Sequence, residues 1–231
     1  MKLVDPAAIR DALLLSFAGG ADAAGYIGLG RVFSSNMTGN LVLFGIYLGQ
    51  GHFSAAFRAL FVLAIFVVGA CLGAWMGRRI DGQNWPRLAR RLLGVEAVLL
   101  VLFAAGWALG VTAAGPVPHL RHVLLLLLTL AMGIQAAALH QLSLPGVKTT
   151  AVTGTLTTLV TGIVHLFSLS PAAATPAQTS FMRVGFQTLV VILYAGGAVV
   201  SGVLMLHAPR WAGCGPAAAV LFVLLCHARK S

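Results

Sequence analysis

Charged residues are scarce in this sequence. They make up 9% of its 231 residues, and only five of them are acidic, whereas 59% of the residues are apolar. A soluble domain carries about 25% charged residues, which keep its surface polar. The composition therefore excludes a soluble domain and a disordered chain, and it predicts an integral membrane protein.

The motifs of common enzyme and metal sites are also absent. There is no GxSxG, no HExxH and no P-loop, and the three cysteines form no CxxC pair. His119 and His122 form a lone HxxH, which supplies too few ligands for a metal. We therefore expect no enzyme activity, no cofactor and no metal.

The net charge of +10 allows two interpretations. A nucleic-acid-binding protein clusters Lys and Arg on one solvated face. Here they stand between long apolar runs, as the positive-inside rule predicts for a membrane protein. We expect a lipid bilayer and no nucleic acid as the partner, and the excess of Arg over Lys together with abundant Ala indicates a GC-rich bacterial genome.

Eight apolar runs suggest an all-α polytopic protein. Six are long enough to cross a bilayer core, which takes about 20 helical residues: Ala12–Gly30, Phe57–Met76, Leu92–Ala114, Val123–Leu142, Val184–Leu206 and Trp211–Ala228. Thr38–Gln50 and Ala151–Phe167 are shorter, and both follow polar, turn-prone segments. The first run is a better membrane helix than a cleaved signal peptide, because apolar sequence continues to Leu29.

Charge counting favours a topology in which the two short runs do not cross. With a cytoplasmic amino terminus and six crossings, eleven basic residues lie inside and four outside, the four being Arg31, Arg58, Arg121 and Arg210. With eight crossings the count is eight inside and seven outside. The positive-inside rule therefore favours six crossings, two re-entrant or broken short segments, and cytoplasmic amino and carboxyl termini.

The two halves of the chain repeat one ordered pattern. Each has a polar residue in its first long run, a Thr-Gly motif near the start of its short run, and a small-residue pair in the next run. These are Asp22, Thr38-Gly39 and Gly69/Gly73, then Gln135, Thr153-Gly154 and Ala198/Gly202. Small residues also recur by chance in membrane helices, but the order favours a duplication, with repeats 1–114 and 115–231 in one membrane domain. Three crossings per half make the repeats inverted, as in many transporters.

The repeated residues also carry a resemblance to a known family. The chain resembles the YoaK family of bacterial inner-membrane proteins in Asp22, Phe33–Asn40, Met132–Gln135 and Thr149–Leu156. The resemblance covers nearly the whole chain and implies a six-helix membrane protein, but it brings no established activity. It also implies an Asn after Gln135, where this chain has Ala136, and a basic residue near His140.

Asp22 is the sharpest candidate for a functional residue. A carboxylate at bilayer depth costs a few kcal/mol on insertion scales, so it must face a cavity or a partner. Because an apolar surround disfavours the charged form, Asp22 could carry a proton; a purely structural Asp is the alternative. Glu96, which follows Arg90 and Arg91, is expected to form an interfacial ion pair or to favour the helix dipole.

The Thr-Gly motifs complete the predicted site. A helix that begins inside the membrane presents free N–H groups and about half a positive charge to a ligand. The same residues could instead only satisfy the backbone at a helix break. The predicted substrate-binding residues are Asp22, Asn36, Thr38, Gly39, Asn40, Gln135, Thr150, Thr153, Gly154 and Thr155.

Two functions fit these observations. The first is a small-solute transporter or channel-like permease, proton-coupled through Asp22, with a midplane site between the two Thr-Gly helix breaks. The second is a non-transporting scaffold or assembly protein whose Thr-Gly motifs are structural. A polar cavity that joins Asp22 to both motifs would favour the transporter, and a dry bundle would favour the scaffold. The small faces allow internal packing and also a homodimer.

Overall fold

Helices form almost all of the described structure. The computed structural model describes residues 6–78, 85–112, 115–116, 118–141, 152–167 and 181–228. The helices in these ranges are α1 (Pro6–Leu15), α2 (Gly19–Gly28), α3 (Met37–Gly49), α4 (Phe53–Gly77), α5 (Trp85–Gly110), α6 (Pro118–Gln141), α7 (Val152–Phe167), α8 (Phe181–His207) and α9 (Cys214–Ala228). Short 3-10 turns occur at Ser16–Ala18 and Pro209–Trp211, and Val111–Thr112 pairs with Gly115–Pro116 in an antiparallel turn.

Each predicted apolar run corresponds to a helical segment, and the two short runs correspond to α3 and α7. Among the described residues, four helical stretches are long and apolar enough to cross a membrane: Phe53–Gly77, Arg91–Gly110, Leu120–His140 and Arg183–His207. The chain is therefore an α-helical membrane protein, as its composition predicts.

The first and last predicted crossings differ from single long helices. The 3-10 turn Ser16–Ala18 separates α1 from α2, so the first run is a helix with a break before Gly19-Gly20. Glycine has low helix propensity, and this pair packs against the backbone of α8. The last run yields α9, which has 15 residues and begins three residues later than the run.

Backbones of α4 and α6 touch through glycines. A Cβ atom at Gly69 would lie 2.5 Å from the carbonyl oxygen of Leu130, and one at Gly133 would lie 2.5 Å from that of Phe66. A Cβ atom at Gly73 would lie 2.8 Å from the Ala137 side chain. The Gly69/Gly73 pair therefore packs inside the protein, as small-residue faces of membrane helices commonly do.

The contact between α2 and α8 has the same character. A Cβ atom at Gly197 would lie 2.7 Å from the carbonyl oxygen of Phe17 and 3.1 Å from the backbone nitrogen of Gly20. The internal contact of α8 thus lies at Gly197, one residue before the predicted pair Ala198/Gly202, and Gly202 has open space around it. One residue turns a side chain by about 100° around a helix, which is enough to move it off the contact.

Trp107 contacts several chain segments at one end of the bundle. It packs against Gly28 at the end of α2 and against Gly213 just before α9. Its Nε1 donates a 2.7 Å hydrogen bond to the carbonyl oxygen of Pro209. Phe103, one turn earlier, lies beside it with the ring centroids 5.8 Å apart. The end of α2, the end of α5 and the chain segment between α8 and α9 therefore meet here.

The outer faces of the helices are apolar. Large exposed hydrophobic side chains occur along the lengths of α3, α4, α7, α8 and α9, among them Leu41, Phe57, Val67, Val160, Ile192, Val199 and Phe222. Apolar surface of this extent marks a membrane or a partner rather than a solvated surface. In an α-helical membrane protein these faces contact the lipid bilayer.

We expect Gly133→Ala to destabilise the protein, because the new Cβ atom would collide with the Phe66 carbonyl and push α4 from α6. Overpacking of this kind costs about 1–3 kcal/mol. Gly202→Ala is the matched control, since nothing lies near its Cβ position and alanine favours a helix. Thermal unfolding in one detergent compares the two variants, and equal melting temperatures would contradict the packing.

Candidate functional site

Asp22 anchors the loop between α2 and α3. Its side chain, 4% exposed, accepts hydrogen bonds from the Ser34 hydroxyl at 3.1 Å, the Ser35 backbone N–H at 2.6 Å and the Ser35 hydroxyl at 2.7 Å. The hydroxyl of Tyr194 in α8 donates a fourth bond to Oδ2. Four donors on two oxygens are the partner set of an ionised carboxylate. These bonds hold the start of α3 beside α2 and α8.

Two asparagines fix where α3 begins. The Asn36 side chain accepts the N–H of Gly39 at 3.1 Å, as a helix N-cap does. Asn40 is fully buried and bonds Phe33 in both directions. Its Oδ1 accepts the Phe33 N–H at 2.8 Å, and its Nδ2 donates to the Phe33 carbonyl at 2.6 Å. The loop therefore has internal partners for its backbone, as a membrane interior requires.

Arg58 connects the end of α2 to the start of α4. Its Nε donates a 3.1 Å hydrogen bond to the carbonyl oxygen of Gly30. Gly30 and Arg31 both have left-handed backbone conformations, with φ of 110° and 59°, which turn the chain sharply. The chain therefore leaves α2 and enters α4 at the same end of the bundle, with α3 between them.

A cavity of about 590 Å³ lies between the starts of α3 and α7. Its volume is within the range of about 300–1,000 Å³ that is typical of small-molecule sites. The polar lining consists of Ser35, Asn36, Thr38, His140, Thr153 and Tyr194. The apolar lining consists of Met37, Phe66, Ala70, Ala74, Ala136, Ala137 and Val152. Such a lining can hydrogen-bond and enclose a small solute.

Three predicted site residues line this cavity together: Asn36, Thr38 and Thr153. Asp22 lies behind the lining and reaches it through Ser35 and Tyr194, both of which bond its carboxylate. Asn40 and Gly39 support the loop from behind, since Asn40 bonds the Phe33 backbone and Gly39 packs on the Phe33 ring. The cavity therefore joins the Asp22 network to both Thr-Gly segments.

Three further predicted residues, Gln135, Gly154 and Thr155, are not brought to the described cavity. Gln135 is buried in α6, and its Oε1 has no hydrogen-bond partner in the described ranges. Gly154 and Thr155 follow Thr153 along α7 but are outside the described lining, and Thr155 is fully buried. Thr150 lies outside the described residues.

Tyr194 and Ser35 are the functional candidates that sequence reasoning missed. Tyr194 interrupts an apolar helix with a hydroxyl group three residues before Gly197, and a buried hydroxyl needs a partner. The same reasoning that selected Asp22 could therefore have selected Tyr194. The positions where the family resemblance implies other residues, Ala136 and the vicinity of His140, also belong to this cavity.

The prediction for Glu96 is wrong. It is the twelfth residue of α5, which begins at Trp85, and so it is not at a helix start. Its side chain is 0% exposed, whereas Arg91 is exposed. Neither carboxylate oxygen has a hydrogen-bond partner among the described residues. The side chain thus points into the bundle and not to an interface.

The described fold defines a class: an α-helical membrane protein with a partly open cavity between the starts of two short helices. A family model described as "Protein of unknown function (DUF1275)" matches residues 12–227. The UPF0700 transmembrane protein YoaK of Bacillus subtilis (strain 168) is 33% identical over 188 residues, which are 81% of this chain and 79% of that protein. The chain belongs to this YoaK (DUF1275) family, which confirms the resemblance. No solved structure matches it.

We expect Tyr194→Phe to lower the melting temperature, because it removes one donor from the buried carboxylate of Asp22. Hydrogen bonds to charged groups contribute about 1.5–3 kcal/mol. Tyr26→Phe is the matched control, since Tyr26 lies in α2 and is 39% exposed. Thermal unfolding of both purified variants measures the difference. Equal losses would mean that the Tyr194 bond does not hold α3 in place.

Proposed function

We propose that this protein is a small-solute transporter or channel-like permease whose solute binds in the cavity between the starts of α3 and α7. The observation that carries the proposal is the convergence of Thr38 and Thr153, from the two halves of the chain, on one cavity. A scaffold has no need of such a space, since a packed bundle is more stable without it.

The cavity has the chemistry of a polar solute site. The hydroxyls of Thr38 and Thr153 and the amide of Asn36 supply hydrogen bonds, and Phe66 with small alanines supplies an apolar wall. Both short helices begin at the cavity, so their first N–H groups and positive dipole ends are directed to it. Broken helices that begin near the midplane are a recurring feature of transporter sites.

Six crossings are part of the proposal, with α3 re-entrant. Ser35, just before α3, is hydrogen-bonded to Asp22, which lies in α2. The start of α3 is therefore well inside the bundle. The bond between Arg58 and Gly30 supports a return of the chain to its starting side. At about 1.5 Å per residue, the 13 residues of α3 reach only about 20 Å, less than the apolar core of about 30 Å.

An inverted repeat accounts for the pairing of the helices. α2 packs on α8 while α6 packs on α4, and α3 packs on α4 while α7 packs on α8. The glycine contacts correspond too, because Gly197 meets Gly20 where Gly69 meets Gly133. In the proposed repeat, α2, α3 and α4 of the first half correspond to α6, α7 and α8 of the second. Each contact in one half then has its counterpart in the other, which supports repeats at 1–114 and 115–231.

We assign Asp22 a positioning role instead of the predicted proton-carrying role. Its oxygens already accept four hydrogen bonds from serine and tyrosine groups. Loss of the acceptor would release the loop that carries Asn36 and Thr38 to the cavity. We place the protein in a bacterial inner membrane, as the family resemblance implies, and the charge count supports cytoplasmic termini.

We expect a small-molecule fraction of a bacterial cell extract to raise the melting temperature of the purified protein, because a ligand of the folded state stabilises it. Thr153→Val should abolish this shift, since it removes a cavity hydroxyl at constant shape. Thr161→Val is the matched control, because Thr161 is exposed on α7 and bonds its own helix at Thr157. A shift that survives Thr153→Val would contradict the site.

A second readout of the same prediction needs no solute. In a variant without its native cysteines, Ala136→Cys should react with a small water-soluble thiol reagent, because Ala136 lines the cavity. Ala131→Cys in the packed face of the same helix should not react, as Ala131 is fully buried. Equal protection of both cysteines would favour the dry bundle of a scaffold.

A further inference from the structure

Glu96 is a buried acid that the cavity does not use. It lies in the middle of α5, in the stretch Arg91–Gly110 that is able to cross a membrane. Its side chain is fully buried, and both carboxylate oxygens lack a hydrogen-bond partner within the described ranges. Ionisable groups inside a membrane bundle are costly, and they mark functional sites by default.

The surroundings of Glu96 are apolar. Phe103, seven residues later and so on the same face of α5, packs against Gly213, which directly precedes α9. Glu96 therefore faces the side of the bundle to which α9 belongs. The buried neighbours of Glu96 on its own helix are Leu92, Leu93 and Leu100, and the buried residues of α9 are Ala217, Val220 and Val223.

One potential acceptor lies at the same depth. Gly106 of α5 packs against Leu124 of α6, and the two helices run antiparallel on either side of a short turn. Glu96 lies ten residues before Gly106, and Gln135 lies eleven residues after Leu124. Gln135 Oε1 also has no donor in the described structure. A protonated Glu96 is a donor, whereas an ionised Glu96 is a second acceptor.

No charged side chain of the packed helices is paired with Glu96 in the described structure. α6 has no titratable residue between His122 and His140, and α9 has none between Cys214 and Cys226. The other described titratable side chains on elements packed against α5 are Arg58, Cys71 and Arg78 in α4, Arg121 in α6 and Arg210 in the 3-10 turn. No hydrogen bond or ion pair joins any of them to Glu96 in the described structure.

We propose that Glu96 is the proton-binding residue of this bundle, a neutral carboxylic acid while α5 is packed against α6 and α9. Three carboxyl groups are buried in the described structure, those of Asp11, Asp22 and Glu96. Asp11 forms an ion pair with Arg10, whereas Asp22 and Glu96 have opposite environments. Asp22 has four hydrogen-bond donors that suit its charged form, and Glu96 has none. Only the neutral form suits the site of Glu96, because burial of an unpaired charge is far more costly than burial of an acid.

Release of the proton needs access of water. When α5 separates from α6 or α9, the O–H bond of Glu96 breaks, the proton passes to an entering water molecule, and the hydrated carboxylate remains. Repacking requires that the carboxylate take a proton back. In the transporter that we propose, this exchange makes the proton the coupling ion, a step that rests on the proposed function, whereas the protonation of Glu96 does not.

Infrared spectroscopy of the ligand-free full-length protein in phosphatidylcholine vesicles tests the protonation. Near neutral pH we expect the C=O stretching band of a protonated carboxylic acid in the wild type. Glu96→Gln should lose this band, and Asp22→Asn should retain it. In heavy water the wild-type band should shift slowly, because water reaches the group only when the packing opens. Absence of the band in the wild type, or its persistence in Glu96→Gln, would overturn the proposal.

Glu96→Asp covers the case in which Glu96→Gln does not fold, since it keeps a carboxyl group and should keep the band. An immediate shift of the wild-type band in heavy water would place the acid in contact with water and overturn the proposal. The two proposals fail separately. If no extract fraction stabilises the protein and Ala136→Cys stays unreactive, the proposal of a transporter is contradicted. Loss of the band in Glu96→Gln would still establish Glu96 as the proton site.

Discussion

A chain that turns back inside a membrane must supply hydrogen-bond partners for its own backbone, because lipid supplies none. The carboxylate of Asp22 meets this constraint for the loop before α3. It holds the Ser35 backbone and hydroxyl at 2.6 and 2.7 Å and binds Tyr194 across the bundle. Without an acceptor at this depth, α3 could not begin beside α7, and the cavity between them would not form.

Glycine contacts supply the frame around this loop. Gly133 brings α6 against α4, and Gly197 brings α8 against α2, with almost no space left for a Cβ atom. These two helix pairs are closely packed, and the cavity lies where α3 and α7 begin. Small residues and hydroxyl groups line it there. The interior thus combines close backbone packing with buried carboxyl groups in different environments: Asp22 is surrounded by hydrogen-bond donors and Glu96 by apolar side chains.

The helices and the meeting of the two Thr-Gly segments could be predicted from sequence, because apolar run length and the order of the motifs determine both. Thr38 and Thr153 both line the cavity, and that they bind a substrate stays a prediction. The partner of Asp22 could not be predicted, since Tyr194 lies 172 residues away and only the packing of α8 on α2 joins them. The orientation of Glu96 could not be predicted either, because it depends on the rotation of α5 in the bundle. Arg90 and Arg91 precede it in the sequence and wrongly indicated an interfacial position.

The central claim is that the starts of α3 and α7 face one cavity inside the membrane. Cross-linking in native membranes tests it most directly, with Thr38→Cys and Thr153→Cys introduced together after replacement of Cys71, Cys214 and Cys226. We expect a short bifunctional thiol reagent to join the two cysteines within one chain, as both line the cavity, and to leave the control pair Thr38→Cys and Thr161→Cys unlinked. Failure of the first pair, or equal linking of the control pair, would contradict the claim.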